Sequence, residues 1–158
     1  MSIFKDSNLG VNPFCTSLEI QVRKVSTRQY VKDEEHGIMV NNIVLLETTP
    51  ITKLYATAER RDLVKVLSGT SSKLLLLVMY NLEPGCDHIR IIRKNYMQSL
   101  SVKSEITFRT ALNELIRYGM LSPTVKQEVY WINPDFFFQG NRVKKYPNHR
   151  KIINADDK

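Results

Sequence analysis

Apolar residues between Glu105 and Tyr118 recur at helical spacing. Phe108, Ala111, Leu112, Leu115 and Ile116 fall at i, i+3, i+4, i+7 and i+8, which predicts an amphipathic helix over Glu105 to Tyr118. Ser104 stands at the N-cap, Glu105 complements the positive end of the helix dipole, and Gly119 can take the left-handed conformation that ends a helix. Ile106, Arg109, Thr110, Asn113 and Arg117 share the opposite face. Ahead of this helix, the β-branched run His88 to Ile92 predicts a strand, Asn95 to Leu100 a short helical segment, and Ser101 to Ser104 a turn. Behind it, Met120-Leu121 and Val129-Tyr130-Trp131-Ile132 flank a polar tip, Ser122 to Gln127, in a hairpin pattern.

Further upstream the period changes. From Cys15 to Ser26, Leu18, Ile20, Val22 and Val25 alternate with Glu19, Gln21, Arg23 and Lys24, the period-two pattern of a half-buried strand. Gly37 to Glu47 is a second β-rich run beyond an acidic loop at Asp33 to Gly37; Thr48-Thr49-Pro50 turns the chain, and Ile51 to Tyr55 extends a hairpin. Asn8, Gly10, Asn12 and Pro13 break any periodicity in residues 1–13, which read as an arm. Thr57 to Leu67 predicts a helix, Ser68 to Ser71 interrupts it, and Ser71 or Ser72 caps a further helix, Lys73 to Leu82. That helix is apolar nearly all round and is expected at the centre of a domain. Past the hairpin, Asn133 caps a short helix with Pro134 at its first position. Phe136, Phe137 and Phe138 are adjacent and cannot all face one side, so at least one packs on the core and another is left for a subunit contact or partial exposure.

Strand, helix, turn, helix, hairpin is the order of a winged helix-turn-helix, whose second helix lies in the DNA major groove. The fold class expected is therefore α+β. An arm and β-rich element occupy residues 1–55, a winged helix-turn-helix core residues 56–141, and a basic tail residues 142–158. In that frame Lys103, Ser104 and Thr107 anchor the helix start to phosphate. Arg109, Thr110, Asn113 and Arg117 read or flank base edges, since Arg forks onto guanine, Asn onto adenine, and Thr offers a hydroxyl or a methyl. Lys126 at the hairpin tip touches the adjacent backbone, and Arg142, Lys144 and Lys145 track phosphates from an extended tail. Taken alone, such a stripe is equally a solvated helix face; the elements around it favour the DNA reading.

Charge supports an anionic partner. The 158 residues carry a net charge of +7, and residues 56–158 hold all of the excess, with 17 Lys/Arg against 10 Asp/Glu. A hydrophobic content of 42% suffices for a core, while no apolar run is long enough to span a membrane. The N-terminus lacks a charged-then-apolar signal pattern, so a cytoplasmic location is expected. Cys15 and Cys86 fit neither a disulfide framework nor a zinc site and read as reduced thiols.

From roughly Tyr55 to Tyr146 the chain resembles the RepL-type replication initiators of small plasmids from Firmicutes. The most specific piece is Val129 to Arg142, VYWINPDFFFQGNR, similar to that family's apolar strand, Asn-Pro, bulky apolar run and Gly followed by polar residues. Thr107 to Gly119 resembles its recognition helix and Asp62 to Leu82 its apolar helical lead-in, while the β-rich half matches less clearly. The resemblance implies a winged-helix protein that binds its origin and starts plasmid copying. The expected partners are double-stranded DNA, with a homodimer and host replication proteins admitted beside it, and no membrane. A phage or plasmid transcriptional repressor would share these features. A winged-helix protein-interaction module, docking through Phe136 to Phe138, is the rival from another class.

Catalysis is not expected. A tyrosine nickase needs a pair of metal-binding histidines on one strand, whereas His36, His88 and His149 are scattered. No Gly-rich phosphate loop is present, the acidic run Asp33-Glu34-Glu35 reads as a solvated loop, and no cofactor or metal is implied.

Overall fold

The computed structural model describes residues 9–32, 37–47, 62 and 65–152. The expectations for residues 1–8, the loop at 33–36, the turn at 48–50 and the run Ile51 to Tyr55 lie outside these residues, as does most of the helix expected over Thr57 to Leu67. The described chain is α+β, with helices and two small three-stranded sheets. It forms two compact units, 1–18 with 52–140, and 19–51 with 141–158.

In the first unit, helix α1 (Gly69–Asn81) leads to strand β3 (His88–Arg90), helix α2 (Arg93–Ser99), helix α3 (Glu105–Arg117), and strands β4 (Leu121–Pro123) and β5 (Val129–Ile132). The sheet is antiparallel in the order β3-β5-β4, pairing His88 with Trp131 and Leu121 with Ile132. Phe108, Ala111 and Leu115 of α3 are buried, and α3 packs on α1. Leu112, expected in the core, is half-buried: it lies at the edge of the apolar face and lines a cleft towards the β4–β5 hairpin.

Helices α2 and α3 each end on a left-handed residue. Ser101 has φ 56°, and the Val102 N–H donates to the Met97 carbonyl at 2.9 Å. At the far end of α3, Gly119 has φ 68° and the Met120 N–H reaches the Leu115 carbonyl at 3.0 Å. Both are six-to-one closures that satisfy last-turn carbonyls. Ser101 does so without glycine, which sequence alone does not signal.

Four expectations change here. Helix α1 begins at Gly69, not Lys73, because Ser68 rather than Ser71 or Ser72 is the cap; its side chain accepts from the Ser71 N–H. It also lies at a flank rather than the centre. Leu74, Leu75 and Val78 face inward, whereas Leu76 is 65% and Tyr80 82% exposed. Phe136, Phe137 and Phe138 are all buried. The expected helix at Pro134 is instead a turn in which the Asn133 side chain accepts from the Asp135 N–H and donates to the Gly119 carbonyl at 2.8 Å. Irregular backbone sends successive side chains in different directions, so three adjacent rings can enter one core.

The arm joins this unit rather than the β element. Leu9 packs with Val129 and Trp131, and buried Asn12 donates to the Ile132 carbonyl at 3.0 Å.

In the second unit, β1 (Ile20–Lys32) and β2 (Gly37–Glu47) form an antiparallel pair in which Val22 meets Glu47 and Lys32 meets Gly37. Ile20 and Val22 are buried while Gln21 and Arg23 are exposed, as the alternation requires. Residues 142–152 of the expected tail are folded. Helix α4 (Arg142–Lys145) packs on β1 and β2, and β6 (Arg150–Ile152) pairs parallel to β1 through Ile20–Arg150 and Val22–Ile152. Lys151 also meets Glu19 at 3.2 Å. Each of the two units thus draws on separated stretches of chain.

Leu115→Ala empties a fully buried site and is expected to cost about 2–5 kcal/mol. Leu112→Ala, at the cleft, is expected to cost clearly less. Urea unfolding of both variants measures the difference, and equal losses would mean that α3 is rotated from this placement.

Candidate nucleic-acid interface

Ser104 caps α3 by accepting from the Thr107 N–H at 3.3 Å, and Lys103, Ser104 and Thr107 are all exposed at that end. Arg109, Thr110, Asn113 and Arg117 are exposed along one face of α3, opposite buried Phe108, Ala111 and Leu115, with Ile106 on the same outward side. Lys126 is exposed at the β4–β5 tip, where the Thr124 hydroxyl oxygen accepts from the Lys126 N–H at 3.1 Å. Glu128 closes that tip with φ 62°. These eight candidates, Lys103 to Arg117 and Lys126, therefore lie in the first unit.

The remaining three fall in the second unit. Lys144 and Lys145 are exposed on α4. Arg142 is 3% exposed and is withdrawn as a phosphate contact, because folding of the tail into α4 takes its side chain out of solvent.

Sequence reasoning passed over a second basic group. Arg90, Arg93 and Lys94 are exposed at the end of β3 and the start of α2. The signal was present in the run HIRIIRK, where the apolar residues drew attention to a strand and not to the cations between them. Arg93 meets Glu105 at 3.3 Å, which holds a carboxylate at the start of α3 against a cation. Between α3 and the hairpin lies a cleft of about 290 Å³, lined by Ile106, Arg109, Leu112, Gln127 and Tyr130 among others. Burial, and then the Glu128 charge, pushes the Tyr130 phenol above its ordinary value.

What holds α3 at its angle is a carboxylate. Glu114 accepts from the Ser68 N–H at 3.1 Å, from the Ser68 hydroxyl at 2.8 Å and from the Ser71 hydroxyl, all at the N-terminus of α1. Ser71 is itself fully buried. The bond from Ser71, and then that from Ser68, hold the Glu114 carboxyl below its ordinary value, with the Arg117 charge adding a smaller effect. A negative group at a helix N-terminus is favoured by the dipole as well as by the free N–H groups.

Among the described residues, no helix is long and apolar enough to cross a membrane, and no cluster of three or more His, Cys, Asp or Glu side chains is placed to hold a metal ion. Comparison of the chain with protein-family models, with curated proteins and with solved structures finds no match in any of the three.

Because the Glu114 value is depressed in the folded state, its contribution to stability is full above the ordinary value of 4.5 and is lost as pH falls through the depressed one. Thermal melts from about pH 6 down to about pH 3 are expected to show a steeper loss for the parent than for Glu114→Gln. The variant is also expected to melt lower near neutrality. Parallel curves would remove Glu114 as the group that couples α1 to α3.

Proposed function

We propose that this chain is a sequence-specific double-stranded DNA-binding protein in which α2 and α3 act as a helix-turn-helix and the β4–β5 hairpin as its wing. The observation that carries this reading is the exposed stripe Arg109, Thr110 and Asn113 on a helix whose other face is buried. An α-helix fits the major groove, and these residue types match the donor and acceptor patterns displayed there. Lys103, Ser104 and Thr107 at the helix start, Arg117 at its end, Lys126 at the tip and the group Arg90, Arg93 and Lys94 supply phosphate contacts around it. Lys144 and Lys145, exposed on α4, are phosphate contacts of the second unit in the same reading.

The resemblance of Tyr55 to Tyr146 to RepL-type initiators favours a replication origin as the target, with host replication proteins and a second copy of the chain as further partners in the cytoplasm. The proposal contains no catalytic step and no cofactor. A phage or plasmid repressor would use the same reading face on a promoter operator, so the selected sequence and its place on the element distinguish the two. The interaction-module alternative loses its named contact, because Phe136, Phe137 and Phe138 are buried.

Selection from random double-stranded DNA, followed by titration at several salt concentrations, tests the reading. Arg109→Ala or Asn113→Ala is expected to lose about 1–3 kcal/mol on the selected site and to leave thermal stability near the parent's. Lys126→Ala is expected to weaken selected and unselected DNA alike and to flatten the salt slope by about 0.9. Because Arg150–Ile152 pairs with β1, removing the tail would disturb the fold, so point substitutions test its phosphate contacts: Lys144→Ala and Lys145→Ala are each expected to flatten the slope by a similar amount. Failure to enrich any sequence would overturn the proposal.

A further inference from the structure

Ile106 is the outlier on the outward face of α3. It is 69% exposed, between Glu105 and Thr107, which are exposed as well, and shares its side of the helix with Arg109, Thr110 and Asn113. It borders the cleft that runs between α3 and the hairpin, with Arg93, Arg109 and Gln127 in the same lining. A large apolar side chain in water on an otherwise polar stripe loses the benefit of burial. It also has no hydrogen bond to offer a base edge.

Resting on the DNA-binding reading above, we propose that Ile106 is a specificity residue that selects thymine at one position of the site by covering its C5-methyl group. Thymine alone among the four bases displays a methyl in the major groove, so an aliphatic side chain there discriminates without hydrogen bonds. The position along the helix suits this. Ile106 lies in the first turn after the Ser104 cap, and residues near the N-terminus of a recognition helix meet the bases. Ile106 and Asn113 are about 10 Å apart along the axis at about 1.5 Å per residue, which spans about three base steps. One apolar contact is therefore set at one end of a short row of polar readers, and it adds a base that Arg109, Thr110 and Asn113 do not specify.

The test uses the full chain and its selected site. Each thymine is replaced in turn by deoxyuridine, which removes only the methyl and keeps base pairing. At one position the parent is expected to bind the deoxyuridine site about three- to fivefold more weakly, the worth of about one buried methyl. Ile106→Ala is expected to bind thymine and deoxyuridine there equally, at the parent's weakened level, while Ile106→Val retains part of the preference. If the selected site is bound but no thymine-to-deoxyuridine change separates the parent from Ile106→Ala, this inference fails and the DNA-binding proposal stands. If Ile106→Ala binds every site like the parent, the inference is overturned in favour of a solvent-facing or protein-facing role. If the parent enriches no sequence at all, both fail together.

Discussion

The rotation of α3 about its own axis is the constraint on which the first unit depends. Phe108, Ala111 and Leu115 are buried, and burial of three such positions leaves a helix of 13 residues one rotational setting. Hydrophobic burial is not directional enough to fix the tilt as well. That falls to Glu114, which sits beside the buried stripe and takes its hydrogen bonds from the opening turn of α1. One carboxylate thus does two things: it takes hydrogen bonds from the Ser68 cap of α1, and it ties the setting of α3 to that helix end.

Both ends of α3 are bounded by backbone devices. The left-handed Ser101 stops α2 and turns the chain into the Ser104 cap, and the left-handed Gly119 stops α3 just before β4. Asn133 then ties the end of β5 back to the Gly119 carbonyl, while Asn12 reaches the Ile132 carbonyl from the arm. Two buried or half-buried amides therefore satisfy carbonyls around the point where helix and hairpin meet, positions where an unpaired acceptor would be costly. At the opposite end, the hairpin tip and the start of α3 line one cleft.

Legibility in the sequence followed the range of the signal. The course of α3, its Ser104 cap, its Gly119 stop and the β4–β5 hairpin were readable because each is encoded within a few residues. The outward stripe from Ile106 to Arg117 was readable because helix geometry fixes it once the apolar face is known. Long-range pairing was not. Nothing local indicates that Arg150 to Ile152 joins Ile20 to Val22 in parallel, so the tail looked free and Arg142 looked available. The three phenylalanines misled for a related reason: face rules hold for regular elements, and residues 134–136 form a turn. Composition misled at α1, where an all-apolar sequence suggested a central helix but left Leu76 and Tyr80 exposed.

Charge illustrates the same distinction between chain order and space. By sequence, residues 56–158 hold the whole excess of +7, yet the folded chain divides it. The first unit holds 13 Lys/Arg against 9 Asp/Glu and the second 10 against 7. Neither unit is strongly basic as a whole, and at physiological salt a net excess acts over only about 8 Å. Under the proposed reading, attraction of a polyanion to α3 rests on the charges near that helix rather than on the net charge of the unit. Its only two carboxylates, Glu105 and Glu114, are engaged by Arg93 and by Ser68 and Ser71 respectively. Arg93 offsets the Glu105 charge, while the serine hydrogen bonds keep Glu114 ionised but turn it towards α1; α3 exposes Arg109 and Arg117, and Lys103 and the hairpin's Lys126 are exposed as well.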